Sequence, residues 1–382
     1  MAVALVIFTG LTWLMHRYIW ARLVRDPHWP APWGASLTVA ICVLAVLIPV
    51  ALLAMRALPR AVNVPLSWVA YVWMGFALYL FLLTVLADAG TGVAALFRAL
   101  PSDPERRLFL SRMIAAGVAG GAGLIGLGGI VNVARGYDVR RVRIPLAKLP
   151  KSASGYSIVQ ITDVHVGPTI GRSFVEGVVR ETNALAPDMV VITGDLVDGS
   201  VAALRDLVEP LRDLRAKDGV YFVTGNHEYY SGADEWIAHL RSMGIRVLRN
   251  ERVDVRGAFD LAGVDDASSA RMLPHHGQDV PGALAGRDKS RAVVLLAHQP
   301  KALHDAQRGE VDLQLSGHVH GGQMVPFNWL ARLDQPLIAG LYKRGATWVY
   351  VSTGTGYWGP PMRVGPGAEI TRIELVAGDA LT

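Results

Sequence analysis

The chain of 382 residues holds a single cysteine, Cys42. No intrachain disulfide can form, so a disulfide scaffold is excluded and cysteine usage does not decide the compartment. Cys42 lies in an apolar run and reads as a small buried hydrophobe. Charge is also scarce, at 18% of residues, and unevenly spread. Residues 1–133 contain no lysine, nine arginines and four acidic residues, which accounts for the whole net charge of +5. The remainder is neutral, so the basic balance reports loops beside membrane helices, and no nucleic-acid partner is expected. A nucleotide-binding loop is missing as well. The glycine-rich stretch Gly354–Pro361 lacks the Lys-Ser/Thr ending such a loop needs, and reads as a wall of a substrate cleft or a plain turn.

What the sequence has in abundance is apolar length. Hydrophobic residues make up 52%, with a mean hydropathy of +0.32. That is too apolar for one soluble domain and too charged for a chain wholly within a membrane. Four apolar runs, near 1–20, 35–55, 66–87 and 113–133, are parted by short Arg/Pro loops. Each suffices to cross about 30 Å of hydrocarbon. The third carries Trp68, Tyr71, Trp73 and Tyr79, rings suited to membrane interfaces, and the fourth is rich in Gly and Ala, which permits close helix packing. Residues 1–133 are therefore expected to form a multi-pass helical membrane region, with lipids as its surroundings. Loops holding Arg17, Arg22 and Arg25, and Arg98, Arg106, Arg107 and Arg112, outweigh the loop with Arg56 and Arg60. The excess places the former inside and everything after Val133 outside the cytoplasm. Arg135, Arg140, Arg141 and Arg143 argue against that orientation. The Arg106-Arg107 pair resembles a twin-arginine export signal, and equally an ordinary basic membrane flank.

From Asp138 the texture changes. Residues 134–152 read as a linker with a leading strand, and 153–378 as a domain in which strands and helices alternate, an α/β pattern. Strands are predicted at 156–162, 188–193, 220–224, 292–297, 348–352 and 369–376, and helices at 174–185, 201–214 and 234–243. Polar residues gather where apolar strands stop: Asp163 and His165, Asp195, Asn226 and His227, His298, His318 and His320. Carboxyl ends of strands are where sites assemble in such sheets. In Gly317-His318-Val319-His320-Gly321-Gly322-Gln323, an extended backbone puts both imidazoles on one side. The donors are nitrogen and oxygen without sulfur, which suits Mn²⁺, Fe or Zn²⁺. The seven of these other than His227 exceed one tetrahedral ion as candidate ligands and suit two divalent ions about 3.5–4 Å apart sharing a carboxylate. Such a pair neutralises a phosphate and turns a bridging water into a hydroxide that attacks phosphorus in line. His275 and His276 read as solvated loop residues, and His304 as surface.

The blocks Asp163-Val164-His165, Gly194-Asp195, Gly225-Asn226-His227-Glu228, His298 and Gly317-His318-Val319-His320 stand in order. The series resembles the calcineurin-like metallophosphoesterase superfamily over about residues 150–376. The resemblance implies a four-layer α/β/β/α sandwich with a dinuclear centre. One ion would take Asp163, His165, Asp195 and His320; the other would take Asp195, Asn226, His298 and His318. Asp195 would bridge. His227 resembles the family's catalytic histidine, which stabilises the transition state or protonates the leaving oxygen. Asp198 is expected either to support a ligand or His227, or to cap a helix. Gly322-Gln323 and the Gly-Pro-Pro-x-Arg run resemble the bacterial membrane-associated branch, linked to phosphodiester and lipid-sugar pyrophosphate cleavage, including UDP-2,3-diacylglucosamine hydrolysis. The expected partner is thus a phosphoester substrate at the bilayer. The alternatives are a tethered phosphatase or phosphodiesterase for soluble substrates, and a membrane sensor that keeps the fold without catalysis.

Overall fold

The computed structural model describes residues 2–97 and 99–378, without the side chains of 2–5 and 55–57. Two compact units emerge: residues 1–132 with 359–364, and residues 133–358 with 365–382.

The first unit holds four helices, α1 (Ala2–Trp20), α2 (Trp33–Ala57), α3 (Arg60–Leu96) and α4 (Pro104–Ala134). Among the described residues three stretches are long and apolar enough to cross a membrane: Trp33–Ala54, Arg60–Leu96 and Pro104–Ala134. The first expected span is helical too, but part of it lies outside the described side chains. Helices α3 and α4 overrun the predicted apolar runs, because the backbone bonds continue into the flanking polar turns. Large apolar side chains such as Val43, Val46, Leu86 and Leu124 point outward. Cys42 is exposed as well, not buried as its apolar neighbourhood suggested. On a helix apolar all round, hydrophobicity does not mark the inner face. A Cβ at Gly126 would strike the Phe76 ring, so the small residues of α4 do let α3 approach closely. Segment 359–364 belongs to this unit: Met362 lies against Gly75 and Gly129, and the Arg363 carbonyl accepts from the Asn132 amide at 2.9 Å.

The second unit contains two six-stranded mixed sheets. One runs β1 (Tyr137–Leu146), β12 (Ala368–Ala377), β2 (Tyr156–Ile161), β3 (Met189–Thr193), β4 (Val220–Val223) and β5 (Arg246–Val247). The other runs β10 (Gly340–Arg344), β11 (Thr347–Val351), β9 (Leu313–Ser316), β8 (Ala292–Leu296), β7 (Phe259–Gly263) and β6 (Glu251–Val255). Side chains alternate across each pleat, and both faces are apolar. Val159, Ile161, Val190 and Ile192 face the helices α5 (Arg172–Ala184), α6 (Val201–Val208) and α8 (Ala233–Ser242). Their neighbours Ile158, Met189 and Val191 face Leu261, Val294 and Leu315 of the opposite sheet. On its far side the second sheet packs Val293 and Leu295 against α10 (Val280–Leu284) and α11 (Leu303–Arg308). The layers are α/β/β/α, as the motif series implied. The short helices α7 (Asn226–Ser231), α9 (Ser269–Met272) and α12 (Phe327–Ala331) complete the unit.

The predicted helix at 201–214 ends as α-helix at Val208. Pro210 cannot donate to the ladder, and the chain tightens into a 3₁₀ turn. Strands β2, β3 and β4 are parallel to one another, as are β8 and β9. Their carboxyl ends therefore fall together at one edge of each sheet.

Candidate metal centre

Each strand end delivers its polar residues on a short, tightly tied loop. The Asp163 N–H donates to the Gly194 carbonyl and the His165 N–H to the Asp195 carbonyl, both at 3.1 Å. The Gly317 N–H donates to the His298 carbonyl at 2.9 Å. These ties hold Asp163, His165, Asp195, His318 and His320 at φ of 53°, 54°, 51°, 71° and 52°. Left-handed backbone costs a non-glycine residue on the order of 1 kcal/mol or more, and it clusters where function demands a particular side-chain direction. It also corrects the extended reading of Gly317–Gln323. Strand β9 stops at Ser316, and the two left-handed residues send their imidazoles to different neighbours.

His320 Nε2 lies 3.0 Å from His165 Nε2 and 3.3 Å from Asp163 Oδ1. His318 Nδ1 lies 3.2 Å from His298 Nε2, which is 3.0 Å from Asp195 Oδ2. The same Asp195 oxygen is 3.9 Å from His165 Nε2, so it faces both groups. Two candidate metal clusters result, Asp163–His165–His320 and Asp195–His298–His318, with His165–Asp195–His227 between them. Asn226 is buried beside them at the start of α7, and its Oδ1 has no hydrogen-bond partner. A buried amide oxygen left without a partner, on the loop whose His227 N–H donates to Asp195 Oδ1 at 2.9 Å, is a donor that a divalent cation satisfies.

Surrounding groups set the direction of these ligands. The His298 Nδ1–H donates to the Thr193 carbonyl at 2.7 Å, which turns Nε2 toward Asp195. Asp163 accepts from the Thr162 hydroxyl at 2.6 Å and from the His318 N–H at 2.9 Å. Asp198 Oδ1 accepts from His227 Nδ1–H at 2.6 Å and lies 3.2 Å from His165 Nδ1. One carboxylate thus orients both rings, and it caps no helix, since α6 begins only at Val201. A side chain at 317 would run into the Asp163 carboxylate and the Thr162 hydroxyl, so only glycine leaves room there.

The protein's own charges polarise the cluster. Burial opposes ionisation of Asp163 and Asp195, but facing imidazoles outweigh it, chiefly His320 for the first and His298 for the second. Both carboxyls are held well below their usual range. Asp198 is likewise held low by His165 and His227. Burial would lower His227, yet Asp195 and Asp198 push it up to about 9. His318 falls to about 4 through burial and the neighbouring His298.

Several residues here carry no obvious mark in the sequence. Glu228 accepts from the N–H groups of Gly225 at 2.6 Å, Leu196 at 2.8 Å and Asp195 at 3.0 Å. It stitches the Asp195 loop to the Asn226 loop; its place in the Gly-Asn-His-Glu block was the available signal. Asp266, buried near His298, accepts both bonds of the Gln299 amide at 3.0 Å, and no motif singled it out. The rings of Tyr230 and Trp358 lie 5.2 and 5.6 Å from that of His227. Gln323 pins the Trp358 backbone with two bonds of 2.9 Å, which fixes that residue of the glycine-rich stretch beside His227. His304 is exposed as expected, and so is His275. His276 is buried between Tyr229 Oη and Asp234 Oδ1, each at 3.0 Å, where solvation had been expected. Tyr229 of α7 and Asp234 of α8 take up the ring, which local polarity does not reveal.

This fold and edge-of-sheet cluster define a metallophosphoesterase-type domain, and residues 156–322 match the family model described as calcineurin-like phosphoesterase. The chain belongs to that family. It is 36% identical over 228 residues to an uncharacterized metallophosphoesterase of Aquifex aeolicus, covering 59% of this chain and 87% of that protein. It is 46% identical over 259 residues to the "Transmembrane protein with metallophosphoesterase domain" of Danio rerio, covering 65% of this chain and 59% of that protein. With the Bos taurus protein of the same name it shares 43% identity over 290 residues, or 72% and 64% of the two chains. The similarity thus spans about three fifths of the length of these last two relatives.

Proposed function

We propose that the protein is a membrane-anchored phosphoesterase that hydrolyses a phosphodiester or pyrophosphate bond with two divalent ions. The observation that carries the reading is the Asp195 carboxylate facing both imidazole groups, while the buried Asn226 oxygen lacks a partner on the loop tied to Asp195 through the His227 N–H. Asp163, His165, Asp195 and His320 would hold one ion, and Asp195, Asn226, His298 and His318 the other. Manganese, iron or zinc would supply Lewis acidity and a water of lowered pKa. The chain's own part is then proton and charge handling. His227, whose imidazole Asp195 and Asp198 push up, is held through Nδ1 so that Nε2 is available to a leaving oxygen. Tyr230 and Trp358 flank that ring.

The three apolar stretches, together with the relatives' transmembrane names, support a multi-pass membrane location. The arginine-poor intervening loop favours an extracytoplasmic domain in a bacterial inner membrane. A lipid or nucleotide-sugar-lipid substrate follows from tethering, which raises the local concentration of anything held in the bilayer. The test is hydrolysis of bis-p-nitrophenyl phosphate by the purified full chain with Mn²⁺. Activity in the wild type that disappears in Asp195→Ala supports the reading; an inert wild type, or equal activity in the variant, overturns it. A C-terminal reporter active only outside the cytoplasm tests the orientation, and a silent fusion reverses it.

A further inference from the structure

Helix α12 breaks the usual rule for a surface helix. Its inward positions hold modest side chains: Asn328 sits on Gly322, and Ala331 packs toward the cluster of Leu303, Val319 and Leu337. Its outward positions hold the large apolar ones. Phe327, Trp329 and Leu330 are 42%, 68% and 56% exposed, and Val325 before the helix and Leu333 after it are exposed too, the latter by 85%. Arg332 stands exposed among them. Water selects the opposite arrangement, and an apolar patch of this kind marks an interaction surface. The patch is tied to the metal centre through the short run from His320 to Gln323. The Gln323 side chain in turn holds Trp358, whose 56% exposed ring lies beside His227. Tyr230, 57% exposed, flanks the same imidazole. The rim near His227 and the α12 face are therefore both apolar.

The chain itself names the occupant. Helix α4 ends at Ala134 and β1 begins at Tyr137, so two residues separate a helix fit to cross a membrane from the α/β unit. A lipid surface is within reach at high effective concentration. Tryptophan with leucines and an arginine is the composition that settles at the headgroup level of a bilayer. We propose that Val325, Phe327, Trp329, Leu330 and Leu333 form an interfacial anchor that seats this unit on the bilayer and opens the His227 side of the site toward lipid headgroups.

The single cysteine makes a direct test available. In a Cys42→Ser background, full-length protein carrying Trp329→Cys or Leu333→Cys is spin-labelled and reconstituted into nanodiscs of phosphatidylethanolamine and phosphatidylglycerol. Lys289→Cys, at a 72% exposed side chain, serves as the aqueous control. Power saturation with oxygen and a water-soluble nickel chelate is expected to place both labels about 5–10 Å into the headgroup–acyl boundary, and the control in water. Labels at 329 and 333 as water-accessible as the control overturn the proposal. So do labels shielded from both relaxants, which would indicate a protein partner or a second copy. Each variant counts only if its thermal transition in detergent matches the parent. Depth is read whether or not any phosphoester is cleaved, so failure of the anchor and failure of the catalytic reading are separable.

Discussion

Asp198 Oδ1 serves two imidazoles, and this gives residue-scale predictions that separate ligands from proton donors. His227 belongs to neither of the three-residue groups that contain Asp163 or His318. His227→Ala is expected to lower kcat by about 10²–10⁴-fold while metal content, measured by elemental analysis, stays at the wild-type level. Asp198→Asn keeps the shape but loses the acceptor charge. It is expected to lower activity about 10–100-fold and to shift the pH profile, because the proton on His227 is then held less tightly. If Asp198→Asn leaves the profile unmoved, Asp198 is structural only. A further residue-scale test concerns Asp188. Burial raises its carboxyl, but Lys217 and the Ser157 N–H and hydroxyl outweigh this and hold it below its usual value. A depressed carboxyl contributes stability that is present above its unfolded pKa and disappears as pH falls through the folded one. Asp188→Ala should thus cost about 1–3 kcal/mol at pH 7 and much less toward pH 3, by denaturant melts.

At the scale of elements, the centre depends on loops that allow little adjustment. Gly317→Ala pushes a methyl group into Asp163 and Thr162. The expected loss is about 1–3 kcal/mol in a denaturant melt, together with weakened metal retention, since the strand-end loop moves as a whole. The five motif blocks were legible because each polar residue interrupts an apolar strand, and strands of period two announce themselves. The fate of His318 and His320 was less so. Sequence spacing suggested a shared side, whereas two left-handed residues part the rings. Glu228 and Asp266 stayed hidden for a related reason: their partners are backbone groups and an amide brought near only by the fold.

For the whole molecule, removing metals should act on stability as well as on activity. Ions held as proposed by seven residues from five strand ends would stabilise the α/β unit by mass action, about 2.7 kcal/mol at a hundredfold excess over Kd. Chelation of the full chain is expected to lower the melting temperature of this unit and abolish hydrolysis, and Mn²⁺ should restore both. An unchanged melting curve after verified metal removal would count against the dinuclear centre. Sequence alone determined that apolar helical runs precede an α/β domain, and that nitrogen and oxygen donors sit at the ends of its strands. Those features are local, set by hydropathy and periodicity. The tertiary structure decided that Asp198 turns two rings, that His276 is buried, and that residues 359–364 belong with the helices. Each of these depends on which distant segments meet, and spacing along a chain carries no record of such meetings.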